Sequence, residues 1–277
     1  MNSPIHYNTL LKHAVAAAIY AGKEILAVYN DVYDIELKAD KSPLTIADKN
    51  AHAKIVEMLS ATELPVLSEE GKAISYDERK GRARYWLVDP LDGTKEFIKK
   101  NGEFTVNIAL IENSLPMLGV IYVPVTDTLY FGGTWLPGCV KYHASEELLS
   151  ENNLNSYFDN LIGSSLKLPL QHPDRPYTVV ASRSHLSDET ELFVSSLKEK
   201  NGDLAFISKG SSLKLCLVAE GSADCYPRLA PTMEWDTAAG HAIAESAGCR
   251  VYDFHTGNTV TYNKESLLNP YFVVMRS

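Results

Sequence analysis

Four acidic residues in this 277-residue chain stand where predicted strands end or predicted helices begin, which are places where carboxylates can converge on a cation. They are Glu69, Asp89, Asp92 and Asp236. Asp89 and Asp92 directly follow an apolar segment, and two carboxylates buried so close together without a partner would be costly. For this pair taken alone, a solvated turn is the alternative, because Asp-Pro and Asp-Gly are ordinary turn dipeptides.

The residues around this pair favour a site for a metal ion and a phosphate. Gly93 and Thr94 lie where a helix could begin, so free backbone N–H groups and the Thr94 hydroxyl would point toward the carboxylates. The carboxylates and the main-chain carbonyl of Leu91 are hard oxygen ligands of the kind that Mg²⁺ prefers. Bound cations would also supply the positive charge that the acidic composition lacks.

Composition and charge exclude several other classes of protein. With 45% hydrophobic and 22% charged residues, the chain has the balance of a soluble globular protein and is long enough to bury a core. A net charge of −9 argues against a duplex-binding protein, so we expect no nucleic-acid partner. No apolar run is long enough to predict a transmembrane segment. The four cysteines show no metal-ligand spacing, which indicates a reducing, cytoplasmic compartment; the oligomeric state stays open.

Hydrophobic periodicity predicts a mixed order of helices and strands. Helices are expected over residues 7–29, 46–59 (with Thr45 as N-cap), 187–200 and 237–247. Strands are expected at 34–38, 65–67, 85–88, 104–111, 117–122, 128–131, 177–182 and 204–207. Because strands and helices do not alternate strictly, the pattern favours an α+β fold. We divide the chain into an N-terminal α+β half at 1–136, an insertion or linker at 137–175 and a C-terminal half at 176–277.

Three motifs connect these observations to a known family. Residues 85–98 contain Asp89-Pro90-Leu91-Asp92-Gly93-Thr94, residues 235–240 read Trp-Asp-Thr-Ala-Ala-Gly, and residues 67–70 read Leu-Ser-Glu-Glu. Together they resemble the signatures of the inositol monophosphatase superfamily of Mg²⁺-dependent, Li⁺-sensitive phosphatases. The segments 101–110, 182–185 and 216–221 resemble more specifically its bacterial 3'(2'),5'-bisphosphate nucleotidase branch. The resemblance covers residues 8–135 and 177–275 and implies a layered αβαβα sandwich of the inositol monophosphatase/fructose-1,6-bisphosphatase type.

The resemblance also implies a metal centre. Glu69, Asp89, Asp92, Asp236 and the carbonyl of Leu91 would hold two or three Mg²⁺ ions, which activate the attacking water and stabilise the leaving oxygen. All of these except Asp89 would also contact the substrate.

Proton transfer and phosphate binding are implied for residues beside the metal ligands. Thr94 would relay a proton from the water to Asp48, and the N–H groups of Gly93 and Thr94 would hold the scissile phosphate. Glu70 is expected to orient a water. Taken alone, Asp48 could equally belong to a helix cap.

His185, Ser211, Lys214 and Arg228 resemble nucleotidase positions that contact a second phosphate and the adenosine. Taken singly, His185 could be an ordinary loop histidine and Lys214 a lysine at the edge of the core. The sequence Gly-Ser-Ser-Leu-Lys occurs twice, at 163–167 and 210–214. We choose the second copy because the segments that follow it keep the family's order.

The activity expected from the resemblance is hydrolysis of adenosine 3',5'-bisphosphate to AMP and phosphate. By the same resemblance, 3'-phosphoadenylyl sulfate is a second substrate, which would connect the enzyme to sulfur assimilation. The alternative is an inositol- or sugar-phosphate phosphatase of the same superfamily, and a pocket containing Lys214 and Arg228 would distinguish the two. A non-catalytic regulator is disfavoured because Asp48, Thr94 and the metal ligands all keep the expected residue types. Relatives in the nucleotidase branch are described at the cytoplasmic face of the inner membrane, so the resemblance leaves peripheral association with that membrane open.

Overall fold

Two β-sheets alternate with three layers of helices in the computed structural model of the protein. It describes residues 4–30, 43–136, 140–143, 158, 161–171, 175–181 and 187–277. The layers follow the order α, β, α, β, α, so the predicted sandwich is confirmed.

The first sheet has seven strands whose spatial order is their order in the chain. They are β1 (Val66–Ser68), β2 (Arg84–Asp92), β3 (Thr105–Glu112), β4 (Leu115–Val123), β5 (Thr128–Gly133), β6 (Val140–His143) and β7 (Leu166–Lys167). Only the β1–β2 pair is parallel, and the remaining neighbours pair antiparallel. Strands β6 and β7 come from the segment predicted as an insertion, yet they pair with this sheet; the division at 137 and 175 stays a prediction.

The second sheet has five strands in the order β11-β12-β10-β8-β9. They are β8 (Tyr177–Val180), β9 (Leu204–Ile207), β10 (Cys225–Arg228), β11 (Cys249–Asp253) and β12 (Phe272–Arg276). Strand β8 runs parallel to β9 and β10, whereas β12 runs antiparallel to both of its neighbours.

Helices cover both sheets. They are α1 (Pro4–Asn30), α2 (Pro43–Leu59), α3 (Tyr76–Arg79), α4 (Thr94–Ile98), α5 (Asp188–Asn201), α6 (Leu213–Ala219) and α7 (Glu234–Ser246), with 3₁₀ turns at Ser60–Thr62 and Pro124–Thr126. Helices α1 and α2 pack on the outer face of the first sheet, α6 and α7 lie between the sheets, and α5 covers the second sheet. Within the described residues, no helix is long and apolar enough to cross a membrane.

Alternation along β2 explains why both faces of the first sheet are covered. Trp86 and Val88 point into the core beneath α1 and α2, whereas Tyr85 and Leu87 point into the core shared with α6 and α7. All four side chains are buried, which fits the uninterrupted apolar run in the sequence.

The central helix α7 packs unusually close to the first sheet. A Cβ atom added at Gly119 of β4 would lie 2.1 Å from the carbonyl oxygen of Ala239 in α7. Only glycine therefore fits at this position, and the contact fixes α7 against the strands that carry acidic residues.

Several predicted boundaries need correction. Helix α2 begins at Pro43, a residue favoured at the first helical position, so Thr45 lies inside the helix and its prediction as N-cap is wrong. Helix α7 begins at Glu234, so Asp236 lies in its first turn rather than ahead of it. Strand β2 continues to Asp92 instead of ending before Asp89. The predicted strand at 34–38 lies outside the described residues.

Candidate active site

A β-bulge brings the two aspartates of β2 to one face of the first sheet. Asp89 is paired with Asn107 and Asp92 with Thr105, so the three-residue step on β2 is matched by a two-residue step on β3. The extra residue restores a common direction to side chains that would otherwise alternate between faces. Pro90 is tolerated within this irregularity because a bulge does not need its missing N–H.

Two further carboxylates join Asp89 from other elements. Glu69 follows β1 directly, and its N–H donates to the carbonyl of Val88 at 3.2 Å. Asp236 lies in the first turn of α7, where the helix dipole favours an acidic side chain. One carboxylate oxygen from each of Glu69, Asp89 and Asp236 lies within 4.8 Å of the others. The fold thus gathers three carboxylates that are up to 167 positions apart in the chain (236 − 69).

Burial and mutual repulsion raise the pKa values of the carboxylates in this group. Burial raises the pKa of Asp89 well above its ordinary value, and the neighbouring charge of Asp92 adds to the effect. Burial, followed by the charge of Asp92, raises the pKa of Asp236 to about 7. The pKa of Glu69 is raised by burial and by Asp92 as well. A hard divalent cation would relieve this repulsion, and carboxylate oxygens are its preferred ligands.

Asp48 on α2 faces the same acidic region. Its pKa is raised to about 8, mainly by burial and then by the charges of Glu70 and Glu69. Its Oδ1 atom is buried and has no hydrogen-bond partner among the described residues. An unpaired buried carboxylate oxygen is costly, so this atom is consistent with a site that a bound group would complete.

Asp92 is held by the second half of the chain. Its Oδ2 atom accepts hydrogen bonds from the Ser211 hydroxyl at 2.9 Å, the Ser212 N–H at 2.7 Å and the Ser212 hydroxyl at 2.8 Å. The Asn107 amide of β3 donates to the same oxygen at 3.3 Å. All four bonds therefore fall on Oδ2 rather than on Oδ1.

Gly93 and Thr94 follow at the start of α4, as the sequence predicts. Gly93 has φ +101°, and a Cβ atom there would lie 3.1 Å from both Phe104 Cα and Ser211 Cβ. Thr94 is the first residue of α4 and is exposed. Helix α2, which carries Asp48, contacts α4. The roles of Gly93 and Thr94 toward a phosphate and of Glu70 toward a water stay predictions.

Two cavities meet beside the acidic group. One has a volume of about 290 Å³, and its lining includes Asp92, Gly93 and Asp236. The other, of about 390 Å³, is lined by side chains of β8, β10 and the start of α5. Lys214, Tyr226 and Arg228 line both cavities. Positive side chains therefore lie where the cavity that contains Asp92 and Asp236 meets a second cavity whose described lining includes basic but no acidic residues.

The predicted substrate contacts differ in their surroundings. Lys214 and Arg228 line the cavities; burial lowers the pKa of Lys214, and the Nε atom of Arg228 is buried with no hydrogen-bond partner in the part of the chain that the structure describes. Ser211 is buried and its hydroxyl bonds Thr105 Oγ1 at 2.6 Å as well as Asp92, so it supports the acidic group. His185 lies outside the described residues.

The two copies of Gly-Ser-Ser-Leu-Lys have different environments. The copy at 210–214 contacts Asp92 and lines the cavities, as expected. The copy at 163–167 is largely exposed and ends in the edge strand β7, and none of its residues lines either cavity.

Sequence reasoning did not assign a role to Asn107, Ser212 or Glu103. Asn107 is a buried amide within the apolar strand β3, and a lone polar residue in such a run is a usable signal. Glu103 accepts hydrogen bonds from Lys209 Nζ and from the N–H of Gly210, both at 2.8 Å, and so anchors the loop that reaches Asp92. No local sequence pattern predicts the contact between Glu103 and this loop.

Comparison with known sequences identifies the family. Residues 6–271 match the inositol monophosphatase family. The chain belongs to the inositol monophosphatase family. Members of this family are generally metal-dependent, in agreement with the cluster of Glu69, Asp89 and Asp236.

Individual relatives within the family are similar over nearly their full length. The 3'(2'),5'-bisphosphate nucleotidase CysQ of Salmonella typhimurium is 44% identical over 274 residues, which cover 96% of this chain and 99% of that protein. CysQ of Escherichia coli K12 is 43% identical with the same coverage. The crystal structure of CysQ from Bacteroides thetaiotaomicron is 50% identical, covers 98% of both chains and superposes with a TM-score of 0.89. Inositol monophosphatase II of Staphylococcus aureus, at 21% identity, 97% and 89% coverage and a TM-score of 0.71, shares the fold.

Proposed function

We propose that this chain is a Mg²⁺-dependent 3'(2'),5'-bisphosphate nucleotidase that hydrolyses adenosine 3',5'-bisphosphate to AMP and phosphate. The observation that carries the proposal is the pair of cavities that share Lys214 and Arg228 beside the acidic group. A substrate with two separated phosphates needs one anion site at the metal centre and another lined by cations. The CysQ relatives, at 43–44% identity, point to the same reaction. We propose 3'-phosphoadenylyl sulfate as a second substrate.

The metal centre of this proposal consists of Glu69, Asp89, Asp92, Asp236 and the carbonyl oxygen of Leu91. Divalent cations bound by such oxygen ligands lower the pKa of a water and neutralise the charge of a transferring phosphoryl group. The first four residues supply the negative charge that would hold the cations. The structure supports this set through the convergence of three of the carboxylates and through the hydrogen-bonded Asp92.

In this proposal, residues beside the metal ligands accept the proton of the attacking water and bind the scissile phosphate. We assign Asp48 as the group that accepts a proton from the attacking water through the Thr94 hydroxyl. Its partner-free Oδ1 atom and raised pKa support that role, because a general base works best when its pKa is near the operating pH. The N–H groups of Gly93 and Thr94 hold the scissile phosphate, and Glu70 orients a water.

Substrate choice depends on the boundary between the two cavities. In this proposal, Lys214 and Arg228 bind the 5'-phosphate, while the adenosine lies in the cavity of about 390 Å³. That cavity has apolar walls at Val180 and Leu229, which suit a purine face, and its volume is in the range usual for small-molecule sites. Ser211 and His185 complete the predicted set of contacts.

The test is phosphate release from adenosine 3',5'-bisphosphate and from inositol 1-phosphate, measured in parallel with Mg²⁺ and with or without Li⁺. We expect strong preference for the nucleotide, inhibition by Li⁺, and loss of activity in Asp92→Asn. Asp203→Asn, which changes an exposed carboxylate remote from the acidic group in sequence, is the matched control and should retain activity. Preference for the inositol ester would instead favour the inositol-phosphatase alternative and refute the substrate assignment.

A cytoplasmic location is part of the proposal. Cys225 and Cys249 are buried free thiols, as expected for a protein in a reducing compartment. Peripheral association with the inner membrane stays a prediction.

A further inference from the structure

The metal ligands of the two halves of the chain are joined through one side chain, that of Ser212. Its hydroxyl lies 2.8 Å from Asp92 Oδ2 and 2.7 Å from the backbone carbonyl oxygen of Asp236. Its backbone N–H also donates to Asp92 Oδ2, at 2.7 Å. Ser212 is buried, with 2% of its surface exposed, so water does not compete for these bonds.

A second side chain fixes the direction of that hydroxyl. The Asn107 amide nitrogen donates to Ser212 Oγ at 2.9 Å and to Asp92 Oδ2 at 3.3 Å. Its carbonyl oxygen accepts from Thr105 Oγ1 at 2.9 Å, which sets the amide in this orientation. Because the Asn107 amide nitrogen can only donate, whereas Asp92 Oδ2 and the Asp236 carbonyl oxygen can only accept, the Ser212 proton points toward Asp92 or Asp236.

From these contacts we infer that Ser212, oriented by Asn107, is a positioning residue of the metal centre. Its hydrogen bonds would occupy Asp92 Oδ2 and so leave Oδ1 available to a cation, and they would fix the distance between Asp92 and the turn that carries Asp236. This inference rests on the proposed function, since it needs the carboxylates to bind cations. Hydrogen-bond partners of metal ligands typically change metal affinity by about 10–100-fold when they are removed.

The test measures cation binding in the absence of substrate. Mg²⁺ and Mn²⁺ are titrated separately into metal-free wild-type protein, Ser212→Ala and Ser165→Ala by calorimetry, and Mn²⁺ binding is followed in parallel by electron paramagnetic resonance. Ser165 occupies the position of Ser212 in the other copy of Gly-Ser-Ser-Leu-Lys, and its hydroxyl donates to the carbonyl of Ile162, remote in sequence from the acidic residues. We expect Ser212→Ala to bind both cations about tenfold or more weakly and Ser165→Ala to bind them as the wild type does.

A second variant separates positioning from folding. Asn107→Leu keeps the size of the side chain but removes both donated hydrogen bonds. We expect Asn107→Leu to weaken cation binding. The double variant with Ser212→Ala should bind cations only slightly more weakly than whichever single variant has the lower affinity, because both changes act on the same carboxylate. Thermal unfolding of the metal-free proteins shows whether a variant is folded, and titrations are interpreted for variants that unfold cooperatively.

The outcomes are distinct. If wild-type protein binds neither cation, the proposed function fails. If wild-type protein, Ser212→Ala and Asn107→Leu bind cations equally well, the proposed function stands and the positioning role is wrong. Additive losses in the double variant would also overturn it, since they would mean that Ser212 and Asn107 act on separate parts of the centre.

Discussion

Without bound metal, the free energy of unfolding of this protein is expected to fall steeply as pH rises. Most acidic residues of folded proteins have the opposite effect, because their pKa values are lowered on folding. The pKa of Asp48 is raised from 3.8 to about 8 and that of Asp236 from 3.8 to about 7, in both cases mainly by burial. Between pH 4 and 7 the folded, metal-free protein therefore keeps at least two protons, those on Asp48 and Asp236, that the unfolded chain releases. The unfolded state binds fewer protons, so stability falls as pH rises through this window.

The size of the effect follows from the same two groups. Each proton held only by the folded state changes the free energy of unfolding by about 1.4 kcal/mol per pH unit. Two such groups would give about 2.7 kcal/mol per pH unit between pH 5 and 6. Saturating Mg²⁺ should reverse the slope, because a cation displaces the protons and binds better as the carboxylates ionise.

Urea unfolding of chelator-treated protein at pH 5, 6, 7 and 8 measures this slope. The rest of the chain also titrates, so the informative quantity is the difference between Asp48→Asn and the exposed-site control Asp203→Asn. We expect Asp48→Asn to lower the slope by about 1.4 kcal/mol per pH unit and to be more stable than wild type at pH 8 without metal. Equal slopes in the two variants would refute the argument that Asp48 is held protonated by its surroundings.

Two further predictions concern the substrate boundary and the core. Lys214→Gln should raise the KM for adenosine 3',5'-bisphosphate about 10-fold or more while changing hydrolysis of a monophosphate ester little, because a charge-assisted contact to a second phosphate is worth about 1.5–3 kcal/mol; steady-state kinetics with both substrates checks this. Gly119→Ala should destabilise the protein by about 2 kcal/mol or more, since its new methyl group would lie 2.1 Å from the Ala239 oxygen, whereas Gly163→Ala, which has open space, should not. Urea unfolding compares the two alanine variants.

Local sequence information was sufficient for the strands β1 to β5, β8 and β9 and for the four longest helices, but it predicted none of β10, β11 and β12. The apolar run before Asp89 predicts a strand buried on both faces, and the periodicity of residues 7–29 predicts α1 closely. It was insufficient where long-range pairing decides the outcome. Strand β2 extends through a Pro-containing segment because β3 pairs with it on both sides of the bulge, and nothing in Asp89-Pro90-Leu91-Asp92 itself distinguishes this from a turn.

The candidate site shows the same division. Carboxylate types and the family motifs pointed to Glu69, Asp89, Asp92 and Asp236, and the structure brings three of them within reach of one cation. The surrounding hydrogen-bond partners could not be found in this way. Ser212 lies 120 positions from Asp92, and only the packing of two halves makes it a partner.

In the proposed metal centre the ligands come from both halves of the chain, so a cation would bind there only once the two halves have packed together. The first sheet supplies Asp89 and Asp92 on one strand, but Asp236 arrives on α7, which the Gly119 contact holds against the same sheet. Carboxylates gathered this closely repel one another, and without a cation this repulsion opposes the packing of the two halves. Ser212 and Asn107 offset part of that repulsion with directed hydrogen bonds, and a cation would offset the remainder. Binding of the cation and docking of α7 onto the first sheet should therefore stabilise each other, as linkage requires.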